Sequence, residues 1–407
     1  MALLPQELWN AIVHEIDDIP TLKASCLAGT VFREESQRNL FRSFRLNCRD
    51  RKRFDGLRTL LDTSPHIAPY ITCFSISFKS DPEILPPDKK AEGLFQVYRA
   101  LGNVRSCTVT HWDIVKDGAA LLSPFLAFLS RQPLRELNVA VKCSLPPVVC
   151  LHFMTVAPAI SFTHVFIADD ADFPRPSDWQ PAVPRIRELI LGKRTLDVNT
   201  LLACAQPQEY TPEGLLRISL YCIWDLGNSL VFTHARTLEH IEFKLLATLG
   251  PPPIPLLPVL RSVQLSSWRE HQKPWFFDLV STVLGSGPLL TDLTLEFPLG
   301  HAHLHIRPEL LHTLDTALIE HTTVPSIRWR LLLSLDADDR EDTLADFVAQ
   351  VRRGMPRVDE KHRLVLEAYG PKVGAGCRWR YERGTYSTRV TSLGRYQYIH
   401  RKSLDVT

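Results

Sequence analysis

The residues best suited to chemistry are three alternate histidines, His301, His303 and His305, with His312 seven positions beyond the last. Alternate positions on a strand share a face, and imidazole is the commonest transition-metal ligand. No carboxylate or cysteine accompanies them at ligand spacing, and proline and glycine flank the segment, so the expectation is a solvated loop and no metal site. The acidic run Asp336, Asp338, Asp339, Glu341 and Asp342 lacks the glycine and closing glutamate of a calcium loop. It is expected to favour the N-terminus of the helix TLADFVAQVRR that follows. Nine cysteines with no C-x-x-C pair, the nearest being Cys143 and Cys150, point to reduced thiols rather than a zinc ribbon or a disulfide framework. There is no G-x-S-x-G elbow, phosphate-binding loop, dinucleotide fingerprint or H-E-x-x-H helix. No catalytic residue and no cofactor is therefore assigned, and the chain is not expected to be an enzyme in its own right.

These absences turn attention to the elements. The 407 residues carry 47 basic and 45 acidic side chains, a net charge of +2, and 45% are hydrophobic. That balance describes a globular chain with nothing global to attract nucleic acid. The opening MALLPQELWN lacks the basic flank and apolar run of a signal peptide. The uncharged run from Cys143 to Ala168 is broken by Pro146, Pro147 and Pro158 and reads as a short helix and a strand, not a membrane span. A cytoplasmic or nuclear location is expected. Basic residues concentrate from Arg42 to Arg58 and again from Lys372 to Lys402, where Trp379, Tyr381, Tyr386, Tyr396 and Tyr398 interleave. Such a mixture can stack on nucleic acid, but a solvated extension or strands packed on the preceding elements is the expected reading.

Two patterns divide the chain. In residues 4 to 46, Leu8, Trp9, Ile12, Val13 and Ile16 recur at helical spacing behind Pro5; a second helix carries Leu22, Cys26 and Leu27 and ends at Gly29; a third starts near Thr30. Three helices in about 40 residues bury too little to be secure alone, so this unit should need a partner or a neighbouring domain. From residue 65 onward one phrase returns, with apolar residues at i, i+3 and i+5. It reads Ile71, Phe74, Ile76; Val104, Cys107, Val109; Leu134, Leu137, Val139; Phe162, Val165, Ile167; Ile186, Leu189, Leu191; Leu215, Ile218, Leu220; Leu238, Ile241, Phe243; Leu260, Val263, Leu265; and Leu290, Leu293, Leu295. Ile327 to Leu335 and His362 to Tyr369 are weaker candidates for last strands. Period two places Leu137, Leu189, Ile218, Ile241, Val263 and Leu293 in the core. It turns Glu136, Asn138, Glu188, Arg217, Ser219, Tyr221, His240, Glu242, Lys244, Ser262, Gln264, Asp292, Thr294 and Glu296 outward as a polar ladder.

The segment LPQELWNAIVHEIDDIPTLKASCLAGTVFREESQRNLFRSFRL resembles an F-box of the kind common in mushroom-forming fungi, and the recurring phrase resembles the strand of leucine-rich repeats. The asparagine that usually follows is missing in most copies. The resemblance implies an α/β chain: a three-helix F-box-like domain over 1–46, an irregular leucine-rich-repeat-like solenoid with a parallel sheet on its concave face over 47–370, and a basic, aromatic extension over 371–407. It also implies a substrate-recruiting, non-catalytic subunit of a cullin-based ubiquitin ligase. Leu4, Pro5, Leu8, Trp9, Ile12, Leu22 and Leu27 would meet a Skp-type adaptor and hence the cullin core, while the repeats would hold a protein substrate. The alternative is a repeat scaffold without ligase function, its helices only capping the array. Trp112, Trp224 and Trp268 each fall three or four residues after the last core position of a strand phrase, so with Tyr221 they are expected either to line one edge as a substrate-binding rim or to fold back over their own repeats.

Overall fold

In the computed structural model, the residues described are 5–47, 50–78, 87–111, 119–141, 144–167, 186–192, 214–222, 231–245, 253–267, 274–299, 306–321, 323–324, 326–333, 340–369, 377–382, 385–392 and 395–402. The chain is α/β and divides into two compact units, Met1–Glu213 and Gly214–Thr407.

The first unit opens with three helices, α1 (Gln6–His14), α2 (Ile19–Ala28) and α3 (Thr30–Phe41). Asp18 caps α2 by accepting from Thr21 N at 2.8 Å. Helix α3 is the hub. Gln6 Nε2 donates to Val31 O (2.8 Å), Asn39 Nδ2 donates to Val13 O (3.0 Å), and Trp9 meets Phe32 edge-on with ring centres 5.0 Å apart. Among the described residues of these helices only Val13, Leu22 and Ser36 are buried, so their packing leaves much apolar surface outside.

Strands and helices then alternate: β1 (Ser43–Asn47), α4 (Arg51–Thr63), a 3₁₀ turn (Pro65–Tyr70), β2 (Cys73–Ser77), α5 (Pro87–Ala100), β3 (Ser106–Thr110), α6 (Ala119–Arg131), β4 (Glu136–Ala140), β5 (Ser144–Leu145), α7 (Pro147–Val156), β6 (Ala159–Phe162), β7 (Phe166–Ile167) and β8 (Glu188–Leu191). Strands β1, β2, β3, β4, β6 and β8 pair in that order, all parallel, while β5 and β7 form a separate two-stranded sheet. The register stacks Leu46, Ile76, Val109, Val139, Phe162 and Leu191, all buried. Tyr98 of α5 and Phe125 and Phe128 of α6 pack among Phe74 and Phe78.

The structure shifts one sequence phrase and adds another. The repeat read as Phe162, Val165, Ile167 is Ala157, Ile160, Phe162, because Ile160 and Phe162 pair with Leu137 and Val139 while Phe166 and Ile167 leave for the small sheet. Phe41, Phe44 and Leu46, read as the close of the helical segment, carry the same spacing and supply the first strand.

The second unit continues the plan with β9 (Arg217–Cys222), β10 (His240–Leu245), β11 (Ser262–Ser267), α8 (Pro274–Ser286), β12 (Asp292–Leu299), α9 (Pro308–Glu320), β13 (Ser326–Leu333), α10 (Arg340–Gly354), α11 (Pro356–Glu360) and β14 (Leu364–Tyr369). Strands β9 to β14 are parallel and pair in chain order. Three antiparallel strands follow, β15 (Cys377–Glu382), β16 (Thr385–Ser392) and β17 (Arg395–Lys402). Trp329, fully buried, stacks on Phe297 at 5.6 Å and meets Phe347 of α10. At its end α10 runs so close to α9 that a Cβ on Gly354 would lie 2.5 Å from Leu311. Among the described residues no helix is long and apolar enough to cross a membrane.

Both units repeat one backbone device. The carbonyl just before a strand accepts from two successive amides of the next repeat: Arg42 O from Thr72 N and Cys73 N, Thr72 O from Arg105 N and Ser106 N, Arg105 O from Arg135 N and Glu136 N. Leu216 O and Glu239 O do the same in the second unit.

Candidate functional site

Two surfaces carry the candidate residues. The first belongs to the N-terminal helices. Leu8 and Ile12 lie one turn apart on α1 and are each 49% exposed, and Ile19, Leu27 and Val31 are exposed on α2 and α3, Leu27 to 86%. Five large apolar side chains in water on three short helices exceed the scatter of single exposed residues found on most surfaces. Of the other candidates, Pro5 precedes α1, Trp9 is half-buried against Phe32, and Leu22 is buried in the bundle; Leu4 lies outside the described residues.

The second surface is the polar ladder of the second unit, set out by strand register. One row holds His240, Ser262, Asp292 and Ser326; the next Glu242, Gln264, Thr294 and Arg328; the third Lys244, Ser266, Glu296, Arg330 and Glu367. Gln264 ties the rows together, donating through Nε2 to Glu296 Oε2 (3.2 Å) and Glu242 Oε1 (3.5 Å) and accepting from Arg330 Nη1 (3.4 Å). Ser266 Oγ donates to Glu296 Oε1 at 3.2 Å, and Lys244 Nζ sits 3.0 Å from Glu242 Oε1. Arg328 and Arg330 lie 3.8 and 3.7 Å from Glu367 Oε2, and Arg328 also 3.8 Å from Asp292. Ser266, Thr294 and Glu367 are buried although their positions face away from the core. The result is a face of alternating donors and acceptors in fixed positions, suited to reading a polar partner by hydrogen bonds.

Burial pushes the Glu296 carboxyl above its usual range; the Ser266 hydrogen bond and the charges of Arg330 and Lys244 offset this in part, while Glu242 adds to it. A raised folded value means that ionisation costs stability once the pH climbs through that value, and that the cost vanishes when the group protonates in acid. Glu296→Gln is accordingly expected to raise the melting temperature at pH 7 by about 1–3 °C. The advantage should shrink to nothing as the buffer is taken down through the carboxylate range, a comparison that thermal melts at four or five pH values would settle. A lower melting temperature for the variant at every pH would mean that the ionised carboxylate stabilises the ladder.

Tyr221 stands in β9 opposite Lys244. Trp112, Trp224 and Trp268 lie outside the described residues, as do His301, His303 and His305 and Asp336, Asp338 and Asp339. The tail aromatics fall on β15, β16 and β17. Sequence reading did not find Arg328, Arg330 and Glu367 as members of the ladder, although their alternation in SIRWRLLL and LVLEAY is the available signal. Among the outer helices, Ser130 Oγ of α6 and His152 Nε2 of α7 are 3.2 Å apart, with Ser130 also donating to Leu126 O. This contact ties two helices together. The sequence matches no protein-family model and no curated protein.

Proposed function

We propose that the chain is a substrate-recruiting F-box subunit of a cullin-based ubiquitin ligase, with the N-terminal helices docking on a Skp-type adaptor and the strand array, as a leucine-rich-repeat-like solenoid, holding a protein substrate. The observation that carries the reading is the exposed apolar set Leu8, Ile12, Ile19, Leu27 and Val31 on a helical segment that buries little of its own. Such a surface costs solubility unless a partner covers it. The ladder from Glu242 to Glu367 supports the second half, since a rigid polar face discriminates partners better than it attracts them.

The test is copurification with the adaptor. Leu8→Asp and Ile12→Asp each place a charge in an apolar interface, and each is expected to reduce adaptor capture at least tenfold, a loss of about 1.4 kcal/mol or more. Both side chains are half in water already, so melting of the chain alone should move little. Capture unchanged by both substitutions would instead favour a repeat scaffold whose helices have no adaptor to meet.

A further inference from the structure

A cleft of about 760 Å³ opens within the first unit, between helix α3 and the beginnings of strands β2, β3 and β4. Its charged walls are Arg38, Arg42, Arg105 and Arg135 against Glu35 and Glu136. Both acids are already engaged. Glu136 accepts from Asn138 Nδ2 (2.8 Å) and Ser106 Oγ (3.4 Å), and Glu35 lies 3.5 Å from Arg38. Arg38 is further held by Glu34 at 2.6 Å and lies over the ring of Tyr70, which also lines the cleft. Among the described residues no hydrogen bond or ion pair is made by the guanidinium groups of Arg42, Arg105 and Arg135, and all three side chains are exposed.

The backbone rungs fix where these three start. Arg42, Thr72, Arg105 and Arg135 occupy the same place before four consecutive parallel strands, linked carbonyl to amide from one to the next. Neighbouring strands lie about 4.8 Å apart, so Arg105 and Arg135 leave adjacent rungs side by side, with Arg42 two rungs away and Thr72 between. Three like charges lining one concavity repel one another, and a multiply charged anion removes that cost. Guanidinium forks on neighbouring strands match the several oxygens of a phosphate, whereas one carboxylate has only two oxygens to offer. The volume is that of a small-ligand site.

We infer that this cleft is a phosphate site: Arg105 and Arg135 clamp one phosphate group, and Arg42 with the Thr72 hydroxyl receives a second on the same ligand. The inference is independent of adaptor docking, because none of these residues belongs to the exposed apolar set.

Calorimetric titration of the full chain with inorganic pyrophosphate, and separately with a peptide carrying two adjacent phosphoserines, tests it. Saturable binding of either probe at one site is expected. It should weaken at least tenfold in the Arg105→Ala/Arg135→Ala variant and only a fewfold in Arg105→Lys/Arg135→Lys, which keeps the charge and loses the fork. Both variants should melt with the wild-type chain, since the rungs are made by main-chain atoms. Binding of pyrophosphate alone identifies a free phosphate compound as the ligand source, and binding of the peptide alone a phosphorylated protein. Failure of both probes to saturate, or equal affinity of the double alanine variant, overturns the inference.

Discussion

Leu293→Asp is expected to leave the second unit unfolded at room temperature. Leu293 is completely buried in β12, between Val263 of β11 and Ile327 of β13. The substitution forfeits about 2–3 kcal/mol of apolar burial. It also forces a carboxylate into an apolar layer, which costs several kcal/mol more or a protonation. The sum is of the order of a whole domain's stability, about 5–15 kcal/mol. Asp292→Ala, one residue away, is the matched control. Its side chain is 47% exposed and its ion pair with Arg328 is long, at 3.8 Å, so a change within about 0.5 kcal/mol is expected. Circular dichroism melts of the two variants should therefore differ by tens of degrees, and similar melts would mean that the alternation along β12 has been assigned to the wrong faces.

The second large effect is expected at Asp315. This residue of α9 is fully buried, and its carboxyl accepts from Val358 N at 2.8 Å and Arg357 N at 3.4 Å, at the start of α11. Helix α11 follows Met355, whose side chain makes no capping bond, so Asp315 serves as its N-cap from another helix. Asp315→Ala removes the acceptor from the buried Val358 amide and from the part-buried Arg357 amide, at a cost of about 2–4 kcal/mol. Asp315→Asn keeps one acceptor oxygen and should recover roughly half of the loss. Hydrogen exchange offers a local readout, because the amides of Arg357 and Val358 should lose protection in the alanine variant while those of β9 and β10 do not. Unchanged protection at both amides would remove Asp315 from the role of cap.

The spacing of apolar residues carried the strands well, and the reason is physical. In Val104, Cys107, Val109, or Leu260, Val263, Leu265, every position of the phrase is buried because each strand has one face on the core and one in the open. The reading slipped at Phe162, where small Ala157 hides the first position and Val165 and Ile167 imitate the last two. It also stopped short at Phe41, because the phrase begins on the last turn of α3 and helical spacing masks it. The ladder members Arg328, Arg330 and Glu367 fell where the phrase weakens. The basic cleft was invisible for a different reason: Arg105 and Arg135 are 30 positions apart in sequence and meet only when the strands stack. Aligning the phrases would have exposed them, since Arg105, Arg135, Arg187 and Arg261 each follow the first apolar residue of their copy.

The doubled carbonyl that recurs between consecutive parallel strands bears on how the molecule would respond to force. Within each unit, several consecutive parallel strands are held to the one before by the same few main-chain bonds and begin from a shared oxygen, such as Arg42 O, Thr72 O or Glu239 O. Tension applied to one end of such a stack is borne by one seam at a time, and when that seam tears the next, built alike, takes the load. A pulling experiment should then record a staircase of small, similar ruptures, each releasing one strand with its helix, so that a tug could peel the array from an end and leave the remainder wound.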